Sequence, residues 1–173
     1  MKLIEKYAFL IGDICKDQQT GKKKLQKLMY LIERKGVQLD LRYSIHFFGP
    51  YSARLDHAIH ILENEEWLDI DTSRQTHRII MKESASTQLE EGSALAEAES
   101  ALVDEVRAAF YDKSPMELEA LTTIDYVATT LLHGTATRDD VINQVKMIKG
   151  KKFSSQELEK EYDVLIEQGY LSA

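Results

Sequence analysis

The chain has 173 residues, 43% of them apolar and 29% charged, with two prolines, eight glycines and one cysteine. This is the composition of an ordinary soluble globular domain, or of two small ones, and it excludes a collagenous, Pro-rich or disulfide-stapled architecture. The net charge of −7 is unevenly spread: residues 1–50 hold ten Lys or Arg against five Asp or Glu, while the remainder is strongly acidic. The apolar tracts Tyr7–Ile11 and Val127–Leu132 are far too short to span a bilayer. No charged-then-apolar leader opens the sequence, so a cytoplasmic protein is expected.

Apolar periodicity predicts a first helix over about Leu3–Lys16 and a second over about Lys22–Lys35. In the second, Lys23, Lys27, Tyr30 and Arg34 follow spacings of four, three and four. They form one stripe opposite Leu25, Leu28 and Ile32. The stripe reads as an exposed basic-aromatic face, suited to phosphate or to an acidic protein surface, with a solvated lysine face as the plainer reading. Next comes an aromatic, β-favouring run, Tyr43–Phe48, expected as a strand. Gly49-Pro50 is expected to turn the chain, and Ser52 to cap a third helix over about Ser52–Glu65. Tyr51 and Arg54, beside that turn, extend the candidate partner-binding set. Leu68–Asp71 and His77–Lys82 read as a two-stranded wing.

Gln88–Tyr111 reads as a long amphipathic helix with Leu95, Leu102, Val106 and Phe110 on one face, bridging two units. It overlaps an acidic stretch, 83–106, with seven Asp or Glu and no base. Beyond it, Ser114, Thr137 and Ser154 each begin a capping-box pattern, and Gly36, Gly150 and Gly169 stand where helices should end. The second half repeats the first. Ala8, Ile11 and Cys15 map to Ile124, Val127 and Leu131, and Leu25, Met29 and Ile32 to Val141, Val145 and Ile148. Leu55, Ile59, Leu62 and Trp67 map to Leu158, Tyr162, Leu165 and Tyr170. The first copy carries a thirteen-residue insertion around Val37–Pro50.

The expected fold is therefore mainly α: two diverged winged-helix-like three-helix units joined by a long acidic helix, with short β-hairpins in the first unit. The divisions fall at 1–88, 89–112 and 113–173. No catalytic, phosphate-loop or metal-ligand pattern is present, and no cofactor is expected. His57 and His60 are spaced for two ligands on one helical face, and a third would have to come from His46 or a nearby acid, so the pair reads as incidental. Cys15 falls on the apolar face of the first helix and reads as core. Both third helices, the elements a winged helix would place in the major groove, are acidic. Nucleic acid is thus not an expected partner, and only the second helix is basic enough for that alternative.

Lys24-Leu-Gln-Lys-Leu-Met-Tyr30, then Tyr43 through His46-Phe-Phe-Gly-Pro-Tyr-Ser52, then a helix ending in Trp67-Leu68, resembles the SocA-like antitoxin superfamily, or Panacea domain. The YwgA-like proteins of bacteria and phages are the most similar-looking branch. The match covers roughly the first 90 residues. It implies a non-catalytic module that binds a partner protein: a toxin in an antitoxin role, or a host or defence protein in an adaptor role. A homodimer is compatible with it. A further alternative is a phage or mobile-element protein whose acidic 83–106 stretch imitates DNA to occupy a host or defence protein.

Overall fold

A computed structural model describes residues 3–83 and 95–173. Among them the chain is mainly helical, with two small antiparallel sheets. In order run α1 (Leu3–Cys15), β1 (Thr20–Gly21), α2 (Lys22–Lys35), β2 (Ser44–His46), β3 (Gly49–Tyr51), α3 (Ala53–Asn64), β4 (Leu68–Asp71) and β5 (Arg78–Met81). After these come α4 (Glu97–Phe110), α5 (Pro115–Tyr126) continued by a π-helical turn over Val127–Leu131, α6 (Arg138–Lys149) and α7 (Ser155–Glu167).

The chain divides into two compact units, one of 1–43 and 52–112, the other of 44–51 and 113–173. The division differs from the expected one in two ways. The hairpin of the first half belongs to the second unit. The described part of the bridging helix, α4, belongs to the first unit, where it packs along α2. Its apolar stripe explains this: Val103, Val106 and Phe110 are buried, with Leu102 half-buried against Gly36. Residues 89–94 of the expected bridge lie outside the described residues.

In the first unit, α1, α2 and α3 bury Leu10, Ile11, Leu25, Leu28, Ile32, Leu55, Ile59 and Leu62, as their spacing predicts, while Trp67 is half-buried. After α3, β4 and β5 form an antiparallel hairpin in which Leu68 pairs with Met81 and Asp71 with Arg78. A third strand, β1, pairs Thr20 with Ile79. Two residues are too few to leave a periodic signal, so this strand is not legible in the sequence.

The segment between α2 and β2 forms no ladder, yet it alternates: Val37, Leu39 and Leu41 are buried, and Gln38, Asp40 and Arg42 are exposed. Side chains supply its missing hydrogen bonds. Tyr7 Oη donates to Leu39 O, Leu41 N to Glu33 Oε2 at 3.0 Å, and Gln38 N to Glu99 Oε2 at 3.1 Å. Burial raises the Glu33 carboxyl above its ordinary value.

In the second unit, α5 is enclosed: every residue from Leu118 to Ala128 is buried, including Glu119, Thr122, Thr123 and Asp125. Ser114, Thr137 and Ser154 accept from the backbone N–H groups of Glu117, Asp140 and Glu157, as the sequence predicts. The expected correspondence between the two halves can be followed in hydrogen bonds where α3 and α7 end. Trp67 N donates to Leu62 O and Glu66 N to Glu63 O; Tyr170 N donates to Leu165 O and Gly169 N to Ile166 O. Both are the same reciprocal closure of a helix C-terminus. Elsewhere the copies diverge, since Ile32 is buried while its counterpart Ile148 is exposed, and the exit after α7 is a bend where the first copy has a strand.

The position in positive φ is Gly169 in one copy and Glu66 (φ 63°) in the other. A left-handed non-glycine residue costs about 1–2 kcal/mol. Glu66→Gly is therefore expected to raise the melting temperature by roughly 2–4 °C for each kcal/mol recovered, measured by calorimetry.

Candidate functional site

The basic-aromatic stripe of α2 is not a solvent face. Leu25 to Ile32 are buried without a break, so α2 is enclosed on all sides. Lys27 and Tyr30 are each 3% exposed, Arg34 is half-buried and Lys23 is exposed. Periodicity gives the phase of the apolar face; it does not show how many faces are covered. Tyr30 packs edge-on against Tyr43, with ring centroids 5.0 Å apart. Arg54 is exposed and pairs with Asp40 at 2.6 Å, and Arg42 holds the other Asp40 oxygen at 3.0 Å. These guanidinium contacts, the Arg42 hydrogen bond foremost, hold the Asp40 carboxyl below its ordinary value. Tyr51 lies in β3 of the second unit, half-buried and stacked on His46 at 4.7 Å. The six candidates therefore do not make one exposed stripe.

Gln26 of the Lys24–Tyr30 run has a structural part that the sequence reading left unassigned. Its side chain grips the backbone of Ser52, donating from Nε2 to Ser52 O at 2.9 Å and accepting at Oε1 from Ser52 N at 2.8 Å. Tyr43 Oη donates to Gln26 O at 2.9 Å. Ser52 Oγ donates to Leu41 O at 2.6 Å and accepts from Leu55 N at 3.0 Å, which caps α3. The motif thus ties α2 to the start of α3 across the inserted segment.

A second cluster lies wholly within the second unit. Here the chain turns at Phe47-Phe48, not at Gly49-Pro50. Gly49 and Pro50 are the return strand, pairing with His46 and Ile45. Gly49 has φ 99°, and a Cβ there would meet Thr123 Oγ1 at 3.1 Å and Glu119 Cγ at 3.5 Å. Glycine is needed because β3 presses on α5, not because it forms the turn.

Phe47 is 79% exposed and Phe48 40%, their rings edge-on at 4.9 Å. Beneath them Lys149 Nζ donates to Phe47 O at 2.6 Å and lies 3.3 Å from Glu119 Oε2. Lys152 Nζ lies 2.8 Å from the same oxygen and donates to Glu119 Oε1 at 3.0 Å. The Lys149 and Glu119 side chains are almost completely buried, whereas that of Lys152 is 28% exposed. Lys152 Nζ also stands 5.2 Å from the Phe48 ring centroid and 5.9 Å from that of Phe47. Burial pushes the Lys149 ammonium below its ordinary value, against the pull of Glu119. Two cations share one carboxylate, so the cluster carries one positive charge in excess. Sequence reasoning missed it because its parts lie some 70 and 30 residues apart. The available signals were the adjacent Phe47-Phe48 and a Glu on the apolar face of α5.

Among the described residues, the other reactive groups show no such convergence. Cys15 lines a cavity of about 690 Å3 in the first unit with Phe9, Gly12, Asp13, Ile79 and Met81, and burial pushes its thiol up to about 11. It is therefore protonated at neutral pH and not an activated nucleophile. Asp13 in that cavity is held by Arg107 Nη2 at 2.8 Å and by Tyr111 Oη at 2.9 Å. His57 and His60 are exposed, and His60 sits between Asp56 and Glu63 at 3.8 and 3.7 Å. Among the described residues, no group of three His, Cys, Asp or Glu side chains is placed to hold a metal, and no helix is long and apolar enough to cross a membrane.

Comparison with protein-family models and with curated proteins finds no match for the chain.

Proposed function

We propose that this chain is a non-catalytic protein-binding module of antitoxin or adaptor type, in keeping with its resemblance to the SocA-like superfamily. The observation that carries the reading is the Phe47-Phe48 hairpin tip, two exposed aromatic rings on a backbone anchored by a buried lysine. Rigid, exposed aromatics beside cations have the composition of binding hot spots. The element order α1-β1-α2-α3-β4-β5, with a three-stranded β1-β5-β4 sheet, supports a winged-helix-like reading of the first unit. Lys23 and Arg54, which face solvent, and the half-buried Arg34 and Tyr51 remain candidate contacts for an acidic toxin, host or defence protein.

The alternatives have less support. Exposed Glu65 and Glu66 end α3, and Asp56 and Glu63 line it, so phosphates would meet carboxylates where a winged helix needs cations. A DNA-imitating face on 83–106 requires unpaired acids. In its described part, Glu99 pairs with Lys6 at 2.9 Å, Glu105 with Lys35 at 3.5 Å, and Asp104 with Arg107.

The test is isolation of the tagged full chain from its native cells, followed by native mass spectrometry. The expected result is a second protein at fixed stoichiometry. Recovery of nucleic acid alone, or of the chain without any associate, contradicts the proposal.

A further inference from the structure

We infer that the Phe47-Phe48 tip and the lysine pair beneath it are a docking site for a protein segment that carries a carboxylate beside an apolar side chain. This rests on the protein-binding reading and names the chemistry of the partner.

Charge selects the occupant. Glu119 is buried and faces both Lys149 and Lys152, so one positive charge is left over. Lys149 is sealed from solvent and also held by the Phe47 carbonyl, which leaves Lys152, 28% exposed, as the cation a ligand can reach. Lys152 stands within 6 Å of both phenylalanine ring centroids. A carboxylate arriving at Lys152 therefore brings its neighbouring side chain onto the aromatic pair. Cation and rings lie close enough for one residue and its neighbour to engage both.

The geometry is set in advance. The tip is fixed from below by the Lys149 bond to the Phe47 carbonyl, and from behind by Gly49, whose lack of a Cβ lets β3 lie against Thr123 and Glu119. A segment docking here orders its own side chain but does not have to order the hairpin, and such preorganisation favours affinity.

The test selects a phage-displayed library of random dodecapeptides on the full chain and titrates the leading peptide, made synthetically, by calorimetry. The expected result is enrichment of Asp or Glu next to Phe, Trp or Leu. About a tenfold or greater loss of affinity is expected in Phe47→Ser, which alters a largely exposed side chain, and in Lys152→Met, which leaves Lys149 paired with Glu119. The affinity should also fall with added salt for the parent and much less for Lys152→Met. Both variants should melt with the parent. Four results overturn the inference: no enrichment above an albumin control, enrichment of basic peptides, unchanged affinity in both variants, or tighter binding of phosphatidylglycerol vesicles than of any selected peptide. If the variants still capture a native partner with parental affinity, protein binding stands and this site falls.

Discussion

Glu119→Gln is expected to destabilise the protein by about 3–5 kcal/mol, the usual consequence of removing one member of a buried ion pair. The substitution keeps the shape of the side chain and removes the carboxylate that, among the described residues, pairs with Lys149 and Lys152. Lys149 is then a buried cation held by a single carbonyl. A loss of this size lowers the melting temperature by roughly 10 °C in a chain of this length. Replacing both partners with apolar residues, Glu119→Leu with Lys149→Met, removes the charge together with its counter-charge and should cost less than the single change. Alkaline pH gives a further readout. Burial depresses the Lys149 value in the folded protein, so above it the native state sheds a proton that the unfolded chain holds up to about 10.5. Stability contributed by this group therefore rises with pH across that window; removing Glu119 depresses the Lys149 value further, so the Glu119→Gln deficit should shrink as pH approaches the parent's value from below. Thermal unfolding of the parent and both variants, scanned from neutral to alkaline pH, measures all three effects.

Gln26→Ala should cost about 2–5 kcal/mol. The change leaves Ser52 N and Ser52 O, both buried, without the amide that satisfies them, and each orphaned group costs about 1–3 kcal/mol. The effect should extend past the lost bonds, because Ser52 also caps α3 and accepts the chain from the inserted segment. Amide exchange at Leu55 should therefore accelerate more than exchange within α7, which the substitution does not touch. A denaturant titration gives the equilibrium cost. A change below about 0.5 kcal/mol would show that the Gln26 clamp does not organise this junction.

Local chemistry made much of this structure readable. The capping residues Ser52, Ser114, Thr137 and Ser154 bond as their spacing implies, because a cap is decided within four residues. The β4–β5 pair is likewise a local hairpin. What stayed hidden depends on distant contacts. Lys27 looks like surface on a helical wheel, but α2 is covered on every side. Gly49-Pro50 reads as a turn by composition, yet Pro50 sits in a strand opposite Ile45, and Gly49 is required by a helix some 70 residues later. The turn falls instead on two phenylalanines, whose exposure no propensity scale favours. Of the candidate site, Arg54 lies in the first turn of α3 as expected, whereas Tyr51 belongs to strand β3 rather than to the start of that helix. The cluster of Glu119, Lys149 and Lys152 becomes visible only once α5 and α6 are folded.

The central claim is that this protein recognises a partner protein through the tip of the β2–β3 hairpin. Amide hydrogen exchange on the full chain, alone and with the protein co-isolated from its native cells, tests it most directly. The account predicts slowed exchange at 44–51 and around 149–152, and unchanged exchange in the acidic last turn of α3. Slowing confined to α3 or to the β4–β5 hairpin, with 44–51 exchanging as in the free chain, would contradict it.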